Sequence, residues 1–531
     1  MTSPSTTLSL ADTDPAELTV DAVVIGVHSQ SGTDAPTPPG PGGFAATLLL
    51  ATGAESIAAA FDGRLTETLA LLGATGAPGE VTKIATLGTV TAPLVVAVGL
   101  GPEPTGAAPA PETLRRAAAG AVRALAGAER VALTLPVPDD EDAPAALRAI
   151  AEGALLGTYR FAGYKTRPQP SLRPPVREVA VHVPDAGDAR AQAEVARARH
   201  VAAAVALTRD WVNTPPNDLR PPAFADAVTD AARAAGLTVE VLDERALADG
   251  GYGGILAVGL GSEAPPRLVT LAYDPPAEAA PAGGTKRVAL VGKGITFDTG
   301  GVSIKPAQGM WEMKSDMAGA AAVAAAMIAI AELKPAVSVR AYLPMAENMA
   351  SGSAYRPGDI VTMRNGKRVE VLNTDAEGRM ILGDAMARAC QDGCDYLIET
   401  STLTGGQVVA LGKRIAGLMG TPEFCTRVQA AGDAVGEPAW PMPLPEDVRK
   451  GMDSDVADIS QVNAGMDRAG HMLQGGVFLR EFVEDGVDWA HIDIAGPSYH
   501  AGEPTGYWTK GGTGVPLRTL LELVDDIAAN G

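Results

Sequence analysis

The chain has 531 residues, and its 63 Asp and Glu outnumber its 42 Lys and Arg, which gives a formal net charge of −21. Nucleic acids and anionic membranes both attract basic surfaces, so this balance predicts that the protein binds neither. Gly and Pro are frequent, with 61 and 41 residues, but a hydrophobic fraction of 46% excludes a collagen-like or mostly disordered chain. A globular protein of this length is expected to form two domains, or one large domain with a smaller appendage.

The cysteines and the apolar segments predict a cytoplasmic protein. Cys390, Cys394 and Cys425 are too few, and of odd number, for a disulfide framework. A secretion signal has a positively charged region followed by an apolar stretch, and residues 1–18 do not show this pattern. The longest strongly apolar run, 319–331, is shorter than the roughly 20 residues needed to cross a bilayer.

In chain order, apolar runs rich in Val, Ile and Leu alternate with Ala-rich stretches, a pattern typical of an α/β protein. We predict a smaller N-terminal α/β domain over 1–163, in which His28 is structural or lies on the surface. Its predicted strands are 21–27 and 93–100, and its predicted helices are 111–127 and 144–158.

A proline-rich segment separates this part from the rest of the chain. Residues 164–176 read YKTRPQPSLRPPV, and the four prolines exclude a regular helix or a central strand. We predict the domain linker there and a larger C-terminal domain over 177–531. That domain is predicted to contain a helix at 188–212, a turn at 213–222, and strands at 287–291, 337–343, 369–372, 396–399 and 489–494.

Several common catalytic motifs are missing from the sequence. No histidine directly precedes a glutamate, which excludes HExxH zinc proteases, and no GxSxG nucleophile elbow occurs. Lys293 follows a glycine after a predicted strand, but Arg287 occupies the position where a phosphate loop needs glycine. The glycines within 250–254 lack the strand–turn–helix context of a dinucleotide site, so a flexible turn is favoured there.

The first candidate cluster follows the strand predicted at 287–291. Lys293, Asp298, Lys305 and Asp316 lie in the glycine-interrupted loop that comes next. Polar residues at the carboxyl end of a strand in an α/β sheet lie where ligands usually bind. Taken alone, each residue is more simply interpreted as a solvated loop charge.

The second candidate cluster is the segment NTDAEGR, residues 373–379, which follows the strand predicted at 369–372. Asp375 and Glu377 are two residues apart, so in an extended segment their carboxylates point to the same side. Such a pair is unfavourable unless a cation lies between them. An ion pair with Arg379 would explain one carboxylate but hardly both.

Together the two clusters hold four carboxylates, whose charge two divalent cations would balance. A lysine becomes a metal ligand only when deprotonated, which costs on the order of 4 to 5 kcal/mol near pH 7. A metal would have to compensate for that cost. Lys293, directly after a strand, is the better candidate ligand, and Lys305 is predicted to remain a free cation that meets developing negative charge.

At these residues the chain resembles the leucyl aminopeptidase family of two-metal cytosolic exopeptidases. NTDAEGR at 373–379 is the family's signature heptapeptide without change, and VGKGITFDTGGVSIKP at 291–306 matches its other metal-binding stretch nearly throughout. The resemblance covers roughly Tyr159 to the C-terminus. Supporting matches are TRDWVNTPPND at 208–218, MKSDMAGAA at 313–321, STLTG at 401–405, WAHIDIAG at 489–496 and TGVPLRTL at 513–520.

The resemblance implies a catalytic C-terminal domain with a mixed central sheet flanked by helices, and two divalent ions per subunit, Zn or Mn, with Mg or Co as alternatives. Asp298 and Glu377 would bridge the ions, and the tighter ion would take the substrate's free α-amino group. Lys305 would polarise the scissile carbonyl, and Arg379 would hold a bicarbonate ion as general base. The implied metal ligands are Lys293, Asp298, Asp316, Asp375 and Glu377, and the implied substrate-binding residues are Met313, Asn373, Thr402, Leu403, Gly405 and Ala495.

The implied activity is release of N-terminal amino acids, preferentially leucine and other apolar residues, from short peptides with a free N-terminus. The implied assembly is a homohexamer whose sites face an interior cavity. His471 and Met472 depart from the family's run of small residues; a helix surface is the favoured interpretation, with a subunit contact or pocket wall as the alternative. His491, two residues before Asp493, is interpreted as a satisfied core histidine.

Two other functions stay open from the residues alone. A two-metal phosphoesterase also uses a carboxylate-rich site, although a lysine ligand and the absence of histidines argue against it. A non-catalytic binding protein could keep the same fold, but it would have no use for Lys305 and Arg379.

Overall fold

The chain forms two compact units, each built on its own sheet. This confirms the predicted α/β fold with a smaller N-terminal and a larger C-terminal part. The first unit contains Met1–Ala206 and Gly502–Thr509, and the second contains Leu207–Ala501 and Lys510–Gly531. The computed structural model describes residues 6–30, 48–105, 107–161, 163–167, 172–279 and 284–531.

Seven strands form the sheet of the first unit within the described residues: β1 (Thr7–Ala11), β2 (Ala22–Ser29), β3 (Leu48–Leu50), β4 (Val81–Ala85), β5 (Leu94–Pro102), β6 (Arg130–Thr134) and β7 (Glu178–His182). Their order is β1-β7-β6-β2-β5-β4, with β3 beside β2, and the pairs along β1-β7-β6-β2-β5 are parallel. The two predicted strands, β2 and β5, lie inside the sheet because their uninterrupted apolar runs are buried on both faces. The helices are α1 (Glu55–Ala60), α2 (Leu65–Leu71), α3 (Pro111–Ala124), α4 (Ala143–Gly157) and most of α5 (Ala189–Asn213).

The first unit extends further along the chain than the predicted N-terminal domain. β7 follows the proline-rich segment and pairs in parallel with both β1 and β6. A strand held between two neighbours belongs to their sheet, so the division between the compact units falls after Ala206 and not within 164–176. Residues 168–171 of the predicted linker lie outside the described residues.

The second unit contains the predicted mixed sheet. The strands of this unit are β8 (Thr238–Leu242), β9 (Arg267–Tyr273), β10 (Arg287–Gly292), β11 (Gly294–Asp298), β12 (Ser338–Asn348), β13 (Ile360–Thr362), β14 (Arg368–Glu370), β15 (Tyr396–Ser401), β16 (Ala416–Gly420), β17 (Ala439–Pro441), β18 (Ile459–Ser460), β19 (Asp488–Asp493), β20 (Tyr499–His500) and β21 (Gly511–Gly512). The order in the main sheet is β17-β16-β19-β15-β10-β12-β9-β8, with β11 beside β12. The central neighbours β19, β15, β10 and β12 are parallel and correspond to predicted strands, whereas β16 and β9 run antiparallel beside them.

The helices of the second unit pack on this sheet and around its edges. They are α6 (Pro221–Ala234), α7 (Glu244–Asp249), α8 (Gly253–Gly259), α9 (Ala318–Leu333), α10 (Glu377–Asp392), α11 (Gly405–Leu411), α12 (Pro422–Val435), α13 (Glu446–Lys450), α14 (His471–Arg480) and α15 (Leu517–Asn530), with 3-10 turns at Ala277–Ala279 and Met310–Ser315.

Helices α9 and α10 cover opposite faces of the central strands. Side chains alternate along β10, and Ala289 and Val291 pack in one core with buried residues of α10. Gly292 points to the other face, where a Cβ would lie 2.7 Å from the Ala320 Cα of α9. The first turn of α9 therefore lies at the carboxyl end of β10.

One stretch of the described residues, 310–333, is long and apolar enough to cross a membrane by length and composition. Within the protein, 78% of its most apolar window is buried. The stretch contains α9, whose alanines pack against the central strands, so its apolar character is that of a core helix.

Candidate active site

Lys293 lies at the centre of the candidate site, between β10 and β11. Its side chain is buried, and its Nζ lies 2.8 Å from Asp316 Oδ1 and 2.9 Å from Glu377 Oε1. The same ammonium donates a hydrogen bond of 3.1 Å to the Thr402 carbonyl oxygen. A Cβ at Gly378 would lie 2.6 Å from the Lys293 Cε. Gly378 of the second cluster thus leaves the space that the Lys293 side chain of the first cluster occupies.

Lys305 joins the other two carboxylates of the site. Its Nζ lies 2.7 Å from Asp298 Oδ2 and 2.5 Å from Asp375 Oδ1. Lys305 is thus paired with carboxylates, because the buried Asp298 and the partly buried Asp375 attract its ammonium group. Its side chain keeps 22% of its surface exposed, against 3% for Lys293, so Lys305 is the lysine that a ligand can reach.

The predicted extended segment through Asp375 and Glu377 is not formed. Instead, these two residues lie on either side of a helix start. β14 ends at Glu370, and Glu377 is the first residue of α10. The Asp375 N–H donates to Asn373 Oδ1 at 3.0 Å, which closes a local turn. Carboxylate oxygens of Asp298, Asp375 and Glu377 nevertheless lie within 4.8 Å of one another. The two clusters predicted from sequence therefore form one site.

Asn348 connects the two clusters, and sequence reasoning missed it. It is fully buried at the end of β12, and its Nδ2 donates to Asp298 Oδ1 at 2.8 Å and to the Thr374 carbonyl at 3.0 Å. The Tyr355 hydroxyl donates to the same carbonyl at 2.9 Å. Asn348 stands 50 residues from Asp298, outside both motifs, so only its position at a strand end could have indicated it.

We expect Asn348→Ala to lower the free energy of unfolding by about 1 to 3 kcal/mol, because two buried acceptors lose a donor at once. Tyr355→Phe is the matched control, since the Thr374 carbonyl keeps its bond from Asn348, and its cost is expected to be about 0.5 to 1.5 kcal/mol. Urea denaturation of both variants measures the difference. Equal losses would show that Asn348 has no special role in joining the clusters.

Gln461 holds the NTDAEGR segment in place from outside both clusters. Its Oε1 accepts the N–H groups of Leu372 and Asn373 at 2.9 and 2.8 Å, and its Nε2 donates to the Ala376 carbonyl at 3.2 Å. Its own carbonyl accepts a bond of 2.5 Å from Arg379 Nη1. Nothing local in the sequence marks this glutamine, because its partners lie more than 80 residues earlier.

Arg379 is fully buried on the first turn of α10, with its guanidinium 5.9 Å from the Phe478 ring centroid. Burial lowers the pKa of Arg379 to about 10, against the attraction of Glu377 and Asp493. The side chain therefore remains cationic at neutral pH. Its Nε lacks a hydrogen-bond partner among the described residues, so this cation has a donor left for an anion.

The four carboxylates of the site carry more charge than the two lysines offset. Burial, reinforced by the Asp298 carboxylate, raises the pKa of Glu377 to about 8. Burial likewise raises the pKa of Asp316 to about 6, although Lys293 opposes the shift. For Lys293 itself, burial favours the neutral form, but the surrounding carboxylates outweigh that and raise its pKa. A cation would relieve this excess of negative charge.

The site also fits divalent metal ions by its unused donor atoms. Asp316 Oδ2 and Glu377 Oε2 are buried and have no hydrogen-bond partner among the described residues. An ionised oxygen in that situation is unfavourable unless it is paired or coordinates a metal. Carboxylate oxygens are ligands that hard divalent cations prefer.

The loop after β15 brings predicted substrate-binding residues to the cluster. The Thr402 hydroxyl donates to Asp316 Oδ1 at 2.6 Å. The N–H groups of Leu403 and Ala495 both donate to Asp493 Oδ1 at 3.2 Å. The structure thus brings together Thr402, Leu403 and Ala495, which lie far apart in the sequence.

The remaining predicted substrate-binding residues lie at the edges of the same region. Met313 is in the 3-10 turn before α9, and its carbonyl accepts the Asp316 N–H at 3.2 Å. Gly405 is the exposed first residue of α11. Asn373 and Asp375 line one cavity of about 150 Å³.

Met472 is buried, so the favoured helix-surface interpretation of this position was wrong. A Cβ at Gly406 would lie 2.8 Å from the Met472 nitrogen, and one at Gly417 would lie 2.7 Å from its Sδ. His471, beside it, has a buried Nδ1 without a hydrogen-bond partner in the described part of the chain. Both residues pack against α11, and the pocket-wall and subunit-contact alternatives both stay predictions.

The two histidines interpreted as structural are indeed buried. His28 Nδ1 lies 3.2 Å from the Gly101 carbonyl oxygen. His491 Nδ1 forms a very short contact with Glu399 Oε2. His491 is only partly satisfied, because its Nε2 has no hydrogen-bond partner among the described residues.

A two-unit α/β fold with lysines and buried carboxylates gathered at the carboxyl ends of central strands is an arrangement suited to metal-dependent hydrolysis. The particular family follows from two family models. The catalytic-domain model of the cytosol aminopeptidase family matches residues 206–521, and its N-terminal-domain model matches residues 43–168. The chain belongs to the cytosol aminopeptidase family and is an aminopeptidase, which rejects the phosphoesterase and the non-catalytic binding protein.

Relatives and solved structures agree with this assignment. A protein of Streptomyces coelicolor described as a probable cytosol aminopeptidase is 48% identical over 539 residues, covering 99% of both chains. The bottromycin maturation enzyme BotP in complex with Mn has a TM-score of 0.79 and 36% identity, over 96% of this chain and 100% of that chain. A mutant of tomato leucine aminopeptidase has a TM-score of 0.82 and 30% identity, over 99% and 97%.

Proposed function

We propose that the protein is a metal-dependent aminopeptidase that releases N-terminal amino acids, preferentially leucine and other apolar residues, from short peptides. The observation that carries the proposal is the single cluster of four carboxylates and two lysines, in which buried carboxylate oxygens lack partners. Its position in a chain of this family supports peptide substrates.

Two divalent ions would be held by Lys293, Asp298, Asp316, Asp375 and Glu377. The similar BotP structure is a complex with Mn, which supports a divalent metal here, with Zn, Mg and Co as the other candidates. When bound, such ions supply Lewis-acid polarisation of a carbonyl oxygen and activation of water. Lys293 would have to lose its proton to serve as a ligand. The carboxylates around it disfavour this loss, and bound metal cations would compensate for it by replacing the positive charge of the proton.

The chain's own cations would stabilise the charge that develops on the substrate. Lys305 is the more exposed lysine, and its ammonium would donate to the oxyanion that forms at the scissile carbonyl. Arg379 would hold a bicarbonate ion through its unused donor, and that ion would supply a general base. The four carboxylates of the cluster are held in ion pairs with its two lysines, which supports a base from outside the cluster.

The proposed assembly is a homohexamer in the cytoplasm, with sites that face an interior cavity. An enclosed site would admit short peptides and exclude folded proteins. The measured mass of the native protein by light scattering tests this, and a monomer would contradict it.

The proposed activity is tested with leucine amide and its N-acetyl form, with Zn, Mn or Mg added and after chelation. We expect hydrolysis of the free-amino substrate alone, loss on chelation and recovery when metal is restored. Equal cleavage of the acetylated substrate would contradict anchoring by the α-amino group. Activity that survives complete chelation would contradict the metal dependence.

A further inference from the structure

Asp493 collects hydrogen-bond donors from two loops beside the cluster. It is fully buried and is the last residue of β19. Its Oδ1 accepts the N–H groups of Leu403 and Ala495, each at 3.2 Å, and its Oδ2 accepts the Thr404 hydroxyl at 2.7 Å. One carboxylate therefore fixes the loop after β15 and the loop after β19 relative to each other.

The loop that Asp493 fixes is also attached to the cluster. Thr402 donates to Asp316 through its hydroxyl and accepts from Lys293 through its carbonyl. Thr404 caps α11, because its hydroxyl accepts the Gln407 N–H at 3.1 Å. A change at Asp493 would thus be transmitted to residues on both sides of Leu403, although none of the hydrogen bonds described above for Asp493 involves the four carboxylates.

Asp493 is itself held rigidly by the sheet. It pairs with Ser401 of β15 and with Gly417 of β16, so strands lie on both sides of it. His491 lies two residues earlier, on the same face of β19, and pairs in register with Glu399, which it also contacts through its ring. The accepting carboxylate of Asp493 therefore belongs to a strand of the sheet, whereas the groups that donate hydrogen bonds to it belong to loops.

We infer that Asp493 is a positioning residue that sets the shape of the pocket for the first side chain of the substrate, and thereby the preference among N-terminal residues. The inference rests on the proposed function, because the family resemblance implies that Thr402, Gly405 and Ala495 line that pocket and that Leu403 offers its carbonyl there. A single buried acceptor shared by both walls keeps their separation constant. Without it, the walls would relax independently and discriminate less between side chains.

The experiment compares Asp493→Ala and Asp493→Asn in the metal-loaded enzyme. The alanine removes all three bonds, whereas the asparagine oxygen still accepts both backbone N–H groups. For Asp493→Ala we expect the preference for leucine amide over alanine amide, as a ratio of kcat/KM, to fall by at least about tenfold, the scale at which pockets discriminate small apolar differences. Most of the change is expected in KM. Asp493→Asn is expected to restore most of the preference.

Asp384→Ala is the matched control for loss of a buried carboxylate. Asp384 is fully buried in the same unit and accepts the Ile255 and Arg364 N–H groups at 3.0 and 2.7 Å, away from the pocket loops. The Asp384→Ala variant is expected to have a lower melting temperature and the same preference ratio as the wild type. A fall of that ratio equal to the fall in Asp493→Ala would overturn the inference.

Calorimetric binding of free leucine and free alanine separates this inference from the proposed function. If the wild type hydrolyses no free-amino substrate, the proposed function fails. The pocket role would still be supported if the wild type binds leucine and alanine with different affinities and Asp493→Ala removes that difference. A folded, metal-loaded Asp493→Ala with an unchanged preference would overturn the inference. If that variant does not fold, Thr404→Val, which removes one donor, is measured instead, and an unchanged preference there would also overturn it.

Discussion

Replacing Lys305 by alanine is expected to lower kcat by roughly 10²- to 10³-fold, the usual effect of removing one preorganised group that stabilises an oxyanion. Bound metal is expected to stay at the wild-type level or to increase. Lys305 contributes a positive charge next to Asp298 and Asp375, so its removal leaves the carboxylates with more negative charge for the cations. Activity and metal affinity therefore change in opposite directions, and kinetics with metal analysis of the same sample measure both.

Lys367→Ala is the control for removal of a paired lysine in the same unit. Lys367 pairs with Glu481, away from the cluster, and its side chain is 35% exposed. This variant is expected to keep both kcat and metal content. If Lys305→Ala lost metal in proportion to its activity, the role of Lys305 would be structural support of the cluster and not stabilisation of the oxyanion.

The central part of the fold could be predicted because its strands contain short runs of apolar residues. β10, β12, β15 and β19 are buried on both faces along most of their length, and the apolar runs remain recognisable although buried polar residues such as Glu399 and His491 interrupt them. β8 at the sheet edge was not predicted, since its side chains are largely exposed and carry no such signal. That the first compact unit continues past the predicted linker could not be predicted, because β7 is short and its burial alternates with exposure.

The lysines and carboxylates of the site could be predicted from the sequence, but the residues that hold them in place could not. The lysines and carboxylates lie in two short motifs, whereas Asn348 and Gln461 contact those motifs from distant parts of the sequence. The extended geometry predicted around Glu377 was also wrong. Gly378 suggested a turn there, but the structure shows that this glycine lies inside α10 and gives space to Lys293.

Replacing Glu377 by glutamine is expected to weaken metal binding by at least about 100-fold, because loss of a ligand exceeds the effect of losing a residue that only orients one. Hydrolysis is expected to fall with the metal. The fold is expected to persist, since glutamine has nearly the same volume and its carbonyl oxygen can still accept from Lys293. Burial already disfavours the Glu377 charge, as its raised pKa of about 8 shows, so the metal-free variant loses little by giving that charge up.

Glu437→Gln is the matched control for the same chemical change at another buried glutamate of the catalytic unit. Glu437 accepts from Arg518 at 3.2 Å and from the Thr519 N–H and hydroxyl at 2.9 Å, so its charge has partners within the chain and needs no metal. That variant is expected to lose stability but to keep metal and activity. Glu377→Gln is expected to show the reverse, with metal-free melting temperature retained and metal content lost. Retention of both ions in Glu377→Gln would contradict its assignment as a metal ligand, because the amide offers a single oxygen ligand and no negative charge in place of the carboxylate.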